Sequence, residues 1–272
     1  MNRKNKTIVI IIVVLILASG LIVWQCLKRP LPEISEMKVA IKEVKIVINY
    51  NFIAHIPPER SLSEAASLIA DLNADMIFRA FNDRSGLIPE SPETAFDEFS
   101  KCYNTSIAKS LAKMHSNLGM TYSNLRDEIS AVKAKNPNIL FSVTLHPQYV
   151  YKITIDPMNG KCIDTRNWAL NFANWNLINP ETGKVFTLEE SQKVMNKITG
   201  GTESELETMY YPDITNEDYQ DYLLKKVEKY LDLNVDVIDF DVLYAQTQAS
   251  LNIVKWMKSK GYYEGDVYQH RQ

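Results

Sequence analysis

The sequence predicts an α/β fold with a parallel sheet, and three observations lead to this prediction. Segments rich in β-branched residues alternate with segments whose apolar residues recur at helical spacing. The strand-like segments are joined by helix-length stretches, as parallel strands require. The chain has 272 residues, of which 46% are hydrophobic and 23% charged, so it has room for one large globular domain or two small ones.

Four segments have the character of strands, because each is short and rich in Val, Ile, Leu and Phe. They are Val44–Tyr50, Asp75–Phe81, Ile139–Pro147 and Val235–Val242.

Amphipathic helices are predicted between these strands and after the last one, at 62–72, 92–118, 123–135, 217–231 and 250–260. A capping box, Ser61 with Glu64, marks the start of the first helix. The stretch 148–212 is predicted to be irregular, with short extended pieces and one helix near 188–198, which the capping box of Thr187 and Glu190 introduces. An irregular segment of this length in a compact domain is usually functional or an insertion.

Four strand–helix units are half of an eight-stranded barrel. The sequence therefore predicts a TIM-barrel-like (β/α) domain over residues 44–272. This domain is either an incomplete barrel or a barrel whose weaker strands lie in the long irregular segment. An open doubly wound sheet is the alternative fold, although the glycine fingerprint typical of that fold is missing from the sequence.

The N-terminal segment Thr7–Leu27 is uncharged, mostly apolar and about as long as a bilayer-spanning helix. We therefore predict one transmembrane helix within residues 1–28 and a polar linker over 29–43. More cationic residues precede the segment than follow it, which indicates a cell-membrane protein whose body lies outside the cytoplasm. A cleaved signal peptide is the alternative.

Composition and motifs exclude several classes of function. A formal net charge of −3 gives no broad basic surface, so nucleic acid is not a predicted partner. Phosphate-binding glycine loops, zinc-spaced cysteines and histidines at metal-ligand spacing are also missing, so we predict no cofactor and no metal. Cys102 and Cys162 either form a disulfide outside the cytoplasm or remain buried thiols.

Polar residues lie where the four predicted strands end. In parallel α/β folds the carboxyl ends of the strands carry the functional side chains. These strand-end residues are Asn49, Arg79, Asn82, His146, Asp239 and Asp241.

Asp239 and Asp241 are two positions apart on one strand, so they point to the same face, and Asp236 belongs to the entry of that strand. Two carboxylates in one site repel each other, and one of them can then hold a proton. Glycosidic bonds are hydrolysed by carboxyl pairs that work in this way. The alternative is structural, with the carboxylates paired to Arg79 or to backbone amides.

The segment Tyr211–Asp241 resembles the fourth βα unit of glycoside-hydrolase-type TIM barrels, with a similar helix start and a strand that ends in aspartate. Ala74–Phe81, with its arginine, resembles the same group, particularly uncharacterised archaeal members. The last strand also resembles the chitinase-type signature D-x-x-D-x-D-x-E, but Leu243 replaces its glutamate and Val242 follows the final aspartate. The resemblance implies that Asp241 is the principal catalytic carboxylate and that Asp239 modulates it.

Glycoside hydrolysis by the usual route needs a second carboxylate about 5–10 Å from the first. Asp83, Asp156 and Asp164 are the candidates in the neighbouring loops. Trp168 and Trp175 lie in an aromatic stretch that either stacks on sugars or packs the long segment.

The sequence thus predicts a membrane-anchored glycoside hydrolase that acts on an extracellular or cell-envelope polysaccharide. Asp241 and Asp239 are its predicted catalytic residues. The predicted substrate contacts are Arg79, Asn82, His146, Asn49, Trp168 and Trp175. The alternative function is a non-catalytic glycan-binding or structural envelope module of the same fold that has lost its acid residue.

Overall fold

A computed structural model describes residues 44–49, 61–83, 87–179 and 181–241, together with Lys255, Lys258 and Ser259. The chain divides into two compact units, Met1–Lys45 and Ile46–Gln272, and all the described helices and strands lie in the second. The predicted transmembrane helix and linker lie outside the described residues, as does most of the predicted helix at 250–260. Among the helices in the described ranges, none combines the length and the apolar character needed to cross a bilayer.

The described elements alternate between strands and helices along the chain. In order they are β1 (Val47–Asn49), α1 (Leu62–Asp71), β2 (Met76–Asp83), α2 (Ala95–Ser100), α3 (Thr105–Leu118), α4 (Tyr122–Lys135), β3 (Leu140–Leu145), β4 (Val150–Tyr151), β5 (Ile153–Ile155), β6 (Cys162–Asp164), the 3-10 helices Arg166–Trp168 and Phe172–Trp175, α5 (Leu188–Thr199), α6 (Glu203–Thr208), β7 (Met209–Tyr210), α7 (Glu217–Asp232) and β8 (Val237–Phe240).

The main sheet has four strands in the order β1-β2-β3-β8, and every neighbouring pair is parallel. These are the four strands expected from the sequence, in the same sequential order. The α/β class with a parallel sheet is therefore confirmed. Among the described residues the sheet does not close on itself into a barrel.

The two faces of this sheet differ in polarity. One face carries Ile77, Phe81, Phe141, Val143 and Leu145, which are buried in one apolar cluster with side chains of α1, α4 and α7. On the other face Asn82, Thr144 and Asp239 are aligned across three adjacent strands. Residues in register on neighbouring strands point the same way, so the alternation creates a polar row on the face opposite to the helices.

The helix boundaries follow local capping. The predicted capping boxes at Ser61 and Thr187 are both formed, and Thr202 begins α6 in the same way. The helical stretch predicted over 92–118 is divided into α2 and α3. The reason is that the Asn104 side chain accepts a hydrogen bond from the backbone amide of Ile107 and so starts a new helix.

The segment 148–212, predicted to be mostly irregular, forms an insertion with its own small core. Two antiparallel strand pairs, β4–β7 and β5–β6, accompany α5 and α6. The predicted helix near 188–198 is confirmed as α5. The insertion core consists of Leu170, Phe172, Phe186, Met195 and Tyr211.

A disulfide between Cys102 and Cys162 connects the insertion to the helical layer, across 60 positions of sequence. It joins the residues after α2 to β6, and beside it the Tyr103 hydroxyl donates a hydrogen bond to the carbonyl oxygen of Ile153. The two cysteines are therefore paired, which is the first of the two alternatives that the sequence left open.

We expect replacement of both cysteines, Cys102→Ser with Cys162→Ser, to lower the free energy of unfolding by about 3 kcal/mol. A cross-link over a loop of this length removes conformational entropy from the unfolded chain. Urea unfolding of the full-length chain measures the change, and dithiothreitol should destabilise the parent protein to a similar extent. Equal midpoints for the parent, the variant and the reduced protein would contradict a stabilising role for this bond.

Candidate functional site

Arg79 contacts both of the predicted catalytic carboxylates. Its Nη2 atom lies 3.0 Å from Oδ1 of Asp241, and its Nε atom lies 3.8 Å from Oδ2 of Asp239. One guanidinium thus bridges the end of β8, and its positive charge opposes the mutual repulsion of the two carboxylates. Both carboxylates are therefore paired with Arg79, which is the contact that the structural alternative expected.

The backbone of β2 is irregular at Arg79. The register between β2 and β3 shifts between Ile77 and Phe81, so β2 contains extra residues at this point. Arg79 lies in this bulge with φ of 57°, in the left-handed region. For a residue other than glycine this conformation costs about 1–3 kcal/mol and is concentrated at functional sites. The guanidinium also lies 5.3 Å from the centroid of the Phe78 ring.

His146 lies between the ends of β2 and β8. Its Nε2 atom is 2.5 Å from Oδ1 of Asn82, and its Nδ1 atom is 3.8 Å from Oδ2 of Asp241. Since an amide oxygen only accepts hydrogen bonds, Nε2 carries the proton in this arrangement. The Nδ1 atom therefore faces the carboxylate of Asp241.

Thr144 completes the cluster, because its hydroxyl donates a 3.3 Å hydrogen bond to Oδ2 of Asp239. Sequence reasoning missed this residue, although Thr144 near the end of β3 lies two residues before His146, a spacing that places both side chains on one face. The backbone amide of Asp241 donates to the carbonyl oxygen of Leu145, so the β3–β8 ladder extends to this carboxylate.

The structure thus brings together five of the predicted site residues, namely Arg79, Asn82, His146, Asp239 and Asp241. We call these five residues and Thr144 the strand-end cluster. The side chains of Arg79, Asp239 and Asp241 are 32%, 27% and 23% exposed, so the cluster is open to solvent on one side. Asn49 lies exposed at the end of β1, level with Phe78 in the register of the sheet.

Asp83, one of the candidate second carboxylates, points to the opposite face of the sheet from Asn82. It is buried against α7, where it pairs with the buried Nζ atom of Lys226 and accepts a 2.6 Å hydrogen bond from the hydroxyl of Tyr230. Burial lowers the pKa of Lys226 while Asp83 opposes the shift, and burial together with Asp83 raises the pKa of Tyr230. Asp83 therefore joins the strand to the helical layer rather than facing the strand-end cluster.

Asp156 and Asp164 also have structural roles. Asp156 accepts hydrogen bonds from the backbone amides of Met158 and Asn159 and from Nζ of Lys225. Burial acts to raise the pKa of Asp156, but these donors outweigh it and hold the pKa below the usual range. Asp164 accepts from the backbone amide of Arg166 at the start of a 3-10 helix. Neither contact places a carboxylate beside Asp241.

The two predicted aromatic contacts differ in exposure. Trp168 is 6% exposed and packs against the rings of Tyr219 and Tyr222, so it belongs to a core and is closed to a sugar. Trp175 is 52% exposed, with one neighbour in Phe172 at 6.2 Å between ring centroids. Trp168 therefore packs the long segment, as one of the two interpretations of the aromatic stretch expected. Of the two tryptophans, Trp175 is the one exposed enough to stack on a sugar.

Asp236 lies at the entry of β8, as expected. Its carboxylate pairs with Nζ of Lys133 at 2.7 Å and accepts a hydrogen bond from the backbone amide of Phe141. It thereby fixes the start of the strand to α4 and β3, at the opposite end from the cluster.

The described ranges contain no group of three or more His, Cys, Asp or Glu side chains placed to hold a metal ion. Comparisons with models of known protein families and with curated proteins gave no match to this chain. The likeness to glycoside hydrolases therefore remains a prediction from the sequence.

We expect Lys226→Met to lower the free energy of unfolding by about 3 kcal/mol, because the substitution removes the cation of α7 that pairs with the buried Asp83 carboxylate. Adding Asp83→Asn should restore part of this loss, since the uncompensated charge is then removed. Urea unfolding measures both changes. Lys193→Met removes an exposed lysine paired with Glu189 and serves as the control with an unchanged midpoint. A loss as small in Lys226→Met as in this control would contradict the assignment.

Proposed function

We propose that the strand-end cluster binds a polysaccharide of the cell envelope, and that the chain is a TIM-barrel-like (β/α) domain of the glycoside-hydrolase type. The parallel strands in chain order and the position of the cluster at their carboxyl ends support this proposal. The predicted N-terminal helix would hold the domain at the membrane. The Cys102–Cys162 disulfide fits a body outside the cytoplasm, where such bonds persist.

The observation that carries the proposal is the guanidinium of Arg79 bridged between Asp239 and Asp241 in a partly exposed cluster. Sugar hydroxyls both donate and accept hydrogen bonds, so they suit a site that presents carboxylate oxygens beside guanidinium N–H groups. His146, held by Asn82, adds a ring nitrogen to the same face. Each side chain is fixed by a partner, which reduces the entropy lost when a ligand binds.

Hydrolysis is the second candidate function, and the position of Asp241 favours it. One oxygen of this carboxylate contacts Arg79 while the other faces Nδ1 of His146. In this candidate Asp241 is the principal catalytic carboxylate and Asp239 modulates its charge. Polysaccharide binding is favoured over hydrolysis because the candidate second carboxylates, Asp83, Asp156 and Asp164, all have structural partners.

We expect Asp241→Asn and Arg79→Gln each to weaken polysaccharide binding by the full-length chain at least tenfold, since each removes a charged hydrogen-bonding group from the cluster. A glycan array followed by titration with the best ligand measures the change. Asp221→Asn, an exposed position on α7, is the matched control and should bind like the parent.

The same samples separate the candidates when reducing-end release is measured in parallel. Binding without release supports recognition, and release that is lost in Asp241→Asn supports hydrolysis. A parent protein that neither binds nor cleaves any glycan on the array would overturn both and leave a structural envelope module.

A further inference from the structure

A groove on the insertion, separate from the strand-end cluster, has the size and polarity of a binding site. Its volume is about 950 Å³, at the upper end of the range for small-molecule sites. One wall is α5, the other is α6 with Tyr210 of β7, and Lys152 and Arg166 also line it.

The floor of the groove is fixed by two buried amide side chains of α5. Gln192 donates to the carbonyl oxygens of Leu170 and Tyr211 and accepts from the backbone amide of Tyr211. Asn196 donates to the carbonyl oxygen of Gly201 and accepts from the hydroxyl of Tyr211. Each amide both donates and accepts hydrogen bonds within the insertion, so the groove has a preformed base.

The turn between α5 and α6 is packed so closely that only glycine fits at position 201. A Cβ atom there would lie 2.1 Å from Oδ1 of Asn196 and 2.4 Å from the hydroxyl oxygen of Tyr211. The turn therefore packs directly against the side-chain amide of Asn196 and the hydroxyl of Tyr211. Capping boxes at the start of both helices fix the walls further.

Both signs of charge line the groove, and most of these charges have no ion-pair partner among the described residues. Lys193 pairs with Glu189 at 2.7 Å. Among the described residues, no carboxylate lies within 4.0 Å of the cationic groups of Lys152, Arg166 or Lys197. In the same part of the chain, no cationic group lies within 4.0 Å of the α6 carboxylates of Glu203 and Glu207. The unpaired charges leave a small excess of positive charge.

This combination of groups limits the class of ligand. Unpaired cations favour a ligand that carries carboxylates, whereas unpaired carboxylates favour one that donates hydrogen bonds. A uronic acid supplies both on every sugar unit, because each unit has one carboxylate and several hydroxyls. The ring of Tyr210, with Nζ of Lys152 at 5.2 Å from its centroid, provides an aromatic surface beside the cations.

We propose that the groove between α5 and α6 binds a segment of a uronate-bearing polysaccharide, with Lys152, Arg166 and Lys197 contacting its carboxylates. This proposal rests on the proposed function, because both assume that the ligand is a glycan. It adds that the glycan contains uronic acid units. It uses a surface that the strand-end cluster does not include, so the two proposals can fail separately.

The test is a calorimetric titration of the full-length chain with oligogalacturonate and with its methyl ester, which has the same backbone without the charge. We expect oligogalacturonate to bind at least tenfold more tightly than the ester, and its affinity to fall with added salt. The double variant Lys152→Gln with Arg166→Gln should lose about tenfold in affinity or more. The control is Lys161→Gln with Lys184→Gln, which removes two exposed lysines outside the groove lining.

The outcomes distinguish this inference from the proposed function. Loss of oligogalacturonate binding in Arg79→Gln, with binding retained in the groove variant, overturns the inference and leaves the strand-end proposal intact. Loss in the groove variant alone supports it even if the cluster binds no glycan. The inference would be overturned if the parent protein did not bind oligogalacturonate, or if it bound the methyl ester equally well. It would also be overturned if binding to phosphatidylglycerol vesicles fell in the Lys152→Gln, Arg166→Gln variant as much as oligogalacturonate binding does, since the groove would then be a general anion site.

Discussion

The contact on which the architecture depends is the buried pairing of Asp83 with Lys226 and Tyr230. It joins the carboxyl end of β2 to α7, the helix that leads into β8. Because side chains alternate along a strand, the same constraint that sends Asp83 into the helical layer sends Asn82 to the opposite face. There Asn82 holds His146 beside Asp241. A charged contact in the core thus sets the position of polar groups at the solvent-exposed site.

Three strands meet at that site, and each contributes a different kind of group. The bulge of β2 provides a cation, β3 provides a hydroxyl and leads to an imidazole, and β8 provides two carboxylates. No two neighbouring strands supply groups of the same charge. The cluster therefore combines one guanidinium with two carboxylates, and its excess of carboxylate oxygens suits a ligand that donates hydrogen bonds, as sugar hydroxyls do.

The sheet could be predicted from sequence because its strands lie in apolar, β-branched segments with helix-length connections, and the polar residues at their ends followed from the same pattern. The sequence could not show that Arg79 lies in a bulge. A register shift depends on the partner strand, and Arg79 reads locally as one more strand residue. The role of Asp83 was also hidden, since its partner Lys226 lies on a helix far along the chain. The pairing of the short strands in the insertion could not be predicted, because strands of two or three residues form only through long-range contacts.

Glycine is the residue that adopts the backbone conformation of position 79 at no steric expense, yet the chain has arginine there. A substitution to glycine would relax β2 while removing the guanidinium that the carboxylates of β8 share. Local stability and the charge pattern at the strand ends therefore make opposite demands on this position. A sequence selected only for folding would be expected to have glycine here, so the arginine marks the bulge as a position where the charge presented to the carboxylates outweighs local backbone stability.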